Sequence, residues 1–279
     1  MNKQQKWISG LIFLVLISFL SNSHAGAQAS KQTPAPFLGW NSYNCYGSHI
    51  NEKLTYENLI AFIQKLKPYG YEYFVLDAGW YRHYDLKPGE IWPTDGDKKH
   101  LTMDMIPFGH IRINYPLTYN KLETTRGYER MDYFSYAHKK TFITQRAMAA
   151  SPLFMGGALT SSPNIVFELI TNADMLECNQ NGITGELVSR ISDYSVKVDI
   201  WKTPHKNNAN EGWIGVFNRN EYMELIKIDK EKLGLNKTVS YNLYDIWGKK
   251  IMTDSETFIF EIPGNDVVFI HFTERKGNS

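Results

Sequence analysis

A change of hydrophobic rhythm near Gly185 constrains this chain more than any single motif does. Before it, short apolar segments alternate with stretches of helical period. "FLGW" at 37–40 is followed by Tyr56, Leu59, Ile60, Ile63 and Leu66 at helical spacing, closed by Pro68 and Gly70, and then by "YEYFVLDAGW". That is a β-α-β unit. "MDMIPFG" reads as a third short apolar segment. "DYFSYAHKKTFITQRAMAA" reads as a helix with Phe134, Ala137, His138, Thr141, Phe142 and Gln145 down one side, and "SPLFMGGAL" as a fourth strand. "SPNIVFELIT" opens a further helix, with Ser162 as N-cap and Pro163 at its first position. Strands alternating with helices predict a parallel, α/β architecture. From 185 to 279 the segments become short and partly alternating, with Val268, Ile270 and Phe272 on one face and polar turns between segments, which predicts an antiparallel β domain.

Charge and targeting signals narrow the partners. With 30 basic and 29 acidic residues the net charge is +1, so no long-range field favours nucleic acid or an anionic membrane. Residues 1–27 read as a secretory signal peptide: lysines, an apolar run from Trp7 to Leu20, then Ala25-Gly26-Ala27 as a cleavage site. The run is shorter than the roughly 20 residues a spanning helix needs, so the expected location is outside the cytoplasm with no membrane attachment after cleavage. A linker at 28–36 follows. Cys45 and Cys178 allow at most one internal disulfide, and no Cys-x-x-Cys or His-x-x-x-His pair is present, so neither metal nor cofactor is expected. Asn236-Lys237-Thr238 is a glycosylation sequon only in a host that glycosylates exported chains.

Parallel α/β folds carry their functional groups at the carboxyl ends of the strands. Trp40 and Asp77 fall at such ends, and an aromatic ring beside a carboxylate suits a sugar, one stacking on its C–H face and the other accepting from its hydroxyls. The competing reading is structural: Trp40 packs the end of the sheet and Asp77 caps a helix.

"GWNSYN", "GYEYFVLDAGWY", "DMIPFG", "AMAASPLFMGGAL" and "ITNADMLECNQNG", in this order and followed by a β domain, resemble the α-galactosidase group of glycoside hydrolases, family 27 of clan D. The resemblance implies a (β/α)8 (TIM) barrel followed by an antiparallel β-sandwich, acting on a terminal α-galactoside. Arabinopyranose, N-acetylgalactosamine and isomaltose-type glucosides are alternative sugars. It places Trp40 and Asp77 in the galactose pocket and matches Asp104 to a pocket acid, although a loop-capping role fits Asp104 as well. Where the group carries two adjacent acids, this chain reads Asp77-Ala78.

A full barrel takes about 250 residues, whereas about 150 separate Phe37 from Gly185. By the resemblance, the strands found match the first, second, seventh and eighth of the barrel, and the join falls in "TDGDKKHLTMDM". The expectation for 37–184 is therefore an incomplete barrel. A retaining glycosidase needs two carboxyl groups about 5–5.5 Å apart. In this group they sit in a K-x-D motif at the fourth strand and after the sixth, segments this chain lacks. "KVD" at 197–199 and "RISD" at 190–193 mimic them from within the β domain, and Glu90, Asp95 and Asp97 read as acids of a charged loop. No catalytic residue is identifiable, and the chain as written is expected not to hydrolyse glycosides. The alternatives are a non-catalytic carbohydrate-binding or structural protein, and a dimer that completes a barrel from two halves.

Overall fold

The computed structural model describes residues 34–77, 103–113, 128–193 and 196–275. The expected signal peptide, most of the linker, Ala78 and the acids Glu90, Asp95 and Asp97 lie outside the described residues. The first part runs β1 (Leu38–Asn41), α1 (Glu52–Lys65), β2 (Tyr73–Val75), a hairpin of β3 (His110–Ile111) and β4 (Arg130–Met131), α2 (Tyr136–Met148), β5 (Leu153–Met155), α3 (Asn164–Ile170) and α4 (Ala173–Gln180).

β1 is too short to be stable on one neighbour, and it has two. It pairs in parallel with β2 and with β5, giving the order β2-β1-β5. Ile106 bridges Met155 in parallel on the far edge of β5. The third apolar segment is thus one bridge rather than a strand. Pro107 follows at once, and a proline offers no N–H to continue a ladder. Alternation separates the two faces: Leu38, Trp40, Leu153 and Met155 are buried, whereas Tyr73, opposite Gly39, is 42% exposed. Gly39 sits where the sheet has no room for a side chain, since a Cβ there would lie 2.6 Å from the Tyr73 carbonyl oxygen and 2.5 Å from the Phe154 ring.

The three expected helices are present and α4 is an addition, but two of the three turn different faces inward. In α1 the buried residues are Asn58, Ala61 and Phe62, while Tyr56, Ile60 and Ile63 are 59%, 56% and 51% exposed. Asn58 is the reason: its amide donates to the Tyr46 hydroxyl at 2.9 Å and its carbonyl accepts the Leu159 N–H at 2.9 Å, so a polar residue fixes the helix's rotation. In α2 the buried stripe is Lys139, Ile143, Arg146 and Ala147, not the expected row, and His138 is exposed. Lys139 reaches Asp132 at 2.5 Å, and Arg146 lies over the Phe142 ring at 3.4 Å, which lets two cations face inward. α3 begins after Pro163, and Ser162 does not cap it; its hydroxyl accepts the His110 N–H at 3.1 Å instead.

The region after 185 is β-rich throughout: β6 (Glu186–Ser192), β7 (Lys197–His205), β8 (Asn208–Asn218), β9 (Glu224–Asp229), β10 (Tyr241–Asp245), β11 (Lys250–Met252), β12 (Thr257–Ile262) and β13 (Val267–Glu274). Six of these form one antiparallel sheet, β11-β10-β13-β8-β7-β6, and β9 pairs with β12 in a second. One face of the large sheet, with Ile200, Ile214, Val216, Ile270 and Phe272, packs on Ile226, Ile228, Phe258 and Phe260 of the small one. The other face, with Trp213, Phe217, Val267 and Phe269, shares a core with Ile143, Ala147 and Met148 of α2 and with Trp40 and Met155. Trp247 donates to the Thr144 hydroxyl at 2.8 Å across the same junction.

Cys45 and Cys178 are both buried and free, and burial pushes both thiols well above their ordinary range. Both should stay unreactive to an aromatic disulfide reagent at pH 8 until denaturant is added, when both titrate; rapid native labelling would contradict this core. Gly39→Ala should lower stability by about 1–3 kcal/mol, read as a fall in urea midpoint at unchanged m.

Candidate functional site

The carboxyl ends of β1 and β2 lie side by side because the strands are parallel and in register, Asn41 facing Val75. Two residues beyond Val75 the chain reaches Asp77. The Asn41 side-chain amide donates to Asp77 Oδ2 at 2.8 Å, while the Asn41 side-chain oxygen accepts the Tyr43 N–H at 2.8 Å. That second bond orients the amide so that its N–H₂ faces the carboxylate. The Asp77 N–H donates to the Ser42 hydroxyl at 3.0 Å, and the Ser42 N–H to the Val75 carbonyl at 3.2 Å. The result is a half-buried carboxylate bonded by the Asn41 amide, on a backbone tied to the Ser42 hydroxyl. Asn41 and Ser42 are site residues that the sequence reading missed, although both stand in the "GWNSYN" stretch beside Trp40.

Trp40 lies directly beneath. Its ring is fully buried, stacked on Phe74 with centroids 4.6 Å apart, and its Nε1–H donates to the Gly157 carbonyl at 2.9 Å. Phe74 in turn meets Phe62 of α1 edge-on, so Trp40 points into the helix-covered core. A buried indole with a satisfied N–H is a rigid support. It joins β1 to the turn after β5 and fixes the strand end that carries Asn41.

Asp104 is not brought to this end. It precedes Ile106, the residue that bridges β5, and Met103 beside it donates its N–H to the hydroxyl of Ser151, which precedes β5. Asp104 therefore lies toward the amino end of the sheet. It is exposed, takes a left-handed φ of 65°, and accepts the N–H of Met105 at 2.6 Å, as a loop-capping acid does. Arg146, whose pKa burial pushes down to about 10, is partly compensated by the Asp104 charge.

The two carboxylates that mimic a glycosidase pair lie in the large β-sheet region. Asp199 accepts from Arg190 Nε and Nη2 at 2.8 Å each and pairs with Arg219 at 3.1 Å. Asp193 follows the end of β6, where its N–H donates to the Val196 carbonyl at 2.9 Å. Asp199, Arg219, Trp201, Phe217 and Met148 line a cleft of about 390 Å³ between the large sheet and α2. Among the described residues no group of three His, Cys, Asp or Glu side chains is placed to hold a metal ion. Nor is any described helix long and apolar enough to cross a membrane.

The fold of these elements is similar to that of solved glycoside hydrolases, one of them described as a family 27 enzyme. A β-L-arabinopyranosidase of this family from Geobacillus stearothermophilus superimposes with a TM-score of 0.69 at 15% identity, covering 91% of this chain and 100% of that one. α-Galactosidase I from Mortierella vinacea gives a TM-score of 0.63 at 11% identity, covering 90% and 98%. In sequence the resemblance is to the α-galactosidase group: Alpha-galactosidase A of Cellvibrio japonicus is 33% identical over 106 residues, 38% of this chain and 24% of that protein. The chain thus spans about a quarter of the curated relative it matches. No protein-family profile matches the chain.

Asp199→Asn should lower the urea midpoint, because it removes the acceptor of a two-arginine ion pair. An unchanged midpoint would mean that the pair adds no net stability to the sheet.

Proposed function

We propose that this chain is an α-galactosidase-like protein with an incomplete barrel, which binds a terminal α-galactoside at the Asn41–Asp77 pair and does not hydrolyse it. The observation that carries the reading is the position of the acids. Asp77 stands at the carboxyl end of the parallel sheet, Asp104 lies toward the amino end, and Asp199 is neutralised by two arginines. Retention chemistry requires one carboxylate to attack the anomeric carbon while a second, about 5–5.5 Å away, protonates the leaving oxygen. Binding requires only one. A half-buried carboxylate accepts from two adjacent sugar hydroxyls, and Asn41 keeps it aimed.

The strand order supports the incomplete barrel. In a closed eight-stranded barrel the first strand is flanked by the second and the eighth, and the eighth by the seventh. β2, β1, β5 and the Ile106 bridge follow each other in that order, all parallel. Trp40 serves such a site from below, as the rigid floor under the strand end. The lysine-led apolar run at the start of the sequence supports export to the periplasm or the outside of the cell, with no nucleic-acid partner.

Calorimetric titration with galactose should give saturable binding in the millimolar range, and Asp77→Asn should weaken it at least tenfold, or about 1.4 kcal/mol. An aryl α-galactoside should not be turned over. Turnover abolished by Asp77→Asn would replace the binding reading with catalysis, and absence of binding at tens of millimolar would remove the site.

A further inference from the structure

We propose that the β3–β4 hairpin carries a second sugar subsite, formed by Tyr128, Arg130 and Tyr133, which takes the next sugar unit of a galactose-containing oligosaccharide whose end lies at Asp77. The inference rests on the carbohydrate reading above and adds an outer contact to it.

Two large aromatic side chains of this hairpin region face solvent, Tyr128 at 62% and Tyr133 at 74% exposure. They are not loose. Their hydroxyls hydrogen-bond to each other at 2.8 Å, and the Arg130 guanidinium lies over both rings, 5.9 Å from that of Tyr128 and 5.3 Å from that of Tyr133. Arg130 Nη1 is anchored on the Tyr128 carbonyl at 3.0 Å. Holding exposed rings in a fixed array costs side-chain entropy, and a preorganised array binds a rigid ring with less ordering to do. Beside the array is a cleft of about 470 Å³ lined by Pro107, Ile111, Phe134, Arg130, Asp132 and His138, large enough for one pyranose.

The polar groups of the cleft divide into spent and unspent. Asp132 is spent: its Oδ1 accepts from Lys139 at 2.5 Å and from the Phe134 N–H at 2.9 Å, and its Oδ2 accepts the Gly109 N–H at 2.6 Å. It builds the wall. Arg130 Nε is unspent: it is buried and has no hydrogen-bond partner among the described residues. A buried N–H without an acceptor is costly, and a sugar hydroxyl entering the cleft supplies one. An aromatic platform, a donor without an acceptor and a pyranose-sized space together fit a carbohydrate.

Position links this cleft to the first site. The Arg112 and Ile113 N–H groups, directly after β3, donate to the Asn44 and Cys45 carbonyls at 3.1 and 2.6 Å. Those carbonyls belong to the turn that leaves β1, three and four residues after Asn41. The hairpin is therefore tied to the same end of the sheet as Asp77.

The test uses the full chain with galactose, raffinose and stachyose as probes, titrated by calorimetry. The wild type should bind stachyose at least tenfold tighter than galactose. Tyr133→Ala and Arg130→Gln should erase that difference and leave galactose affinity within twofold, Tyr133→Phe should retain most of it, and Asp77→Asn should weaken both sugars. Urea midpoints establish that each variant is folded. Equal affinity for all three sugars, or a length dependence that survives Tyr133→Ala, overturns the subsite. If galactose fails to bind while stachyose binds in a Tyr133-dependent way, the Asp77 reading falls and the subsite stands; if no sugar binds, both fall.

Discussion

The central place of β1 is the constraint from which the rest follows. Its neighbours, β2 and β5, come from segments on either side of a long excursion of the chain, and each supplies one edge of a four-residue strand. The Trp40 side chain fastens the arrangement, packing against β2 through Phe74 and bonding the turn after β5 through the Gly157 carbonyl. With β1 fixed on both sides, the direction of Asn41 is fixed, and with it the carboxylate that Asn41 holds. The polar site is thus a consequence of a buried aromatic contact rather than a separate feature of the surface.

The second organising fact is that the central strands β8 and β13 of the large antiparallel sheet are buried on both faces. Its strand β13 sends Val267 and Phe269 toward the helices and Ile270 and Phe272 toward the small sheet. A strand covered on one face alternates apolar and polar residues, and a strand covered on both does not. The partial alternation in this half of the sequence has that physical origin. Ion pairs also flank α2 at this junction. Lys140 and Lys139 reach acids at its two flanks, Asp266 beyond the sheet and Asp132 in the hairpin region, so charge rather than apolar packing sets part of that junction.

Much of this was readable from the residues, and the failures have specific causes. The strands were legible because a short apolar run bounded by turn residues has few other uses, and the parallel arrangement followed from their alternation with helices. The faces of α1 and α2 were not. α1 bears a second apolar stripe, Tyr56, Ile60 and Ile63, which outweighs the true one by hydrophobicity and is exposed among the described residues. Asp104 stayed open between a pocket acid and a loop-capping one because an acid near a strand gives no sign of which end it occupies until the bridge partner, Met155, is known. Asn41 escaped notice because a lone asparagine resembles any turn residue until its oxygen and nitrogen are seen to have different partners.

The bond between Trp40 and Gly157 joins residues 117 positions apart. During synthesis β1 leaves the ribosome early, yet its second edge cannot form until Leu153–Met155 has followed. Closing so long a loop costs entropy that only the finished sheet returns, and topologies of high sequence separation fold slowly. For that interval the growing chain carries a half-paired parallel strand and an unsheltered indole, the kind of surface that chaperones recognise. The arrangement that gives the strand end its rigidity therefore delays its completion until Leu153–Met155 has been made.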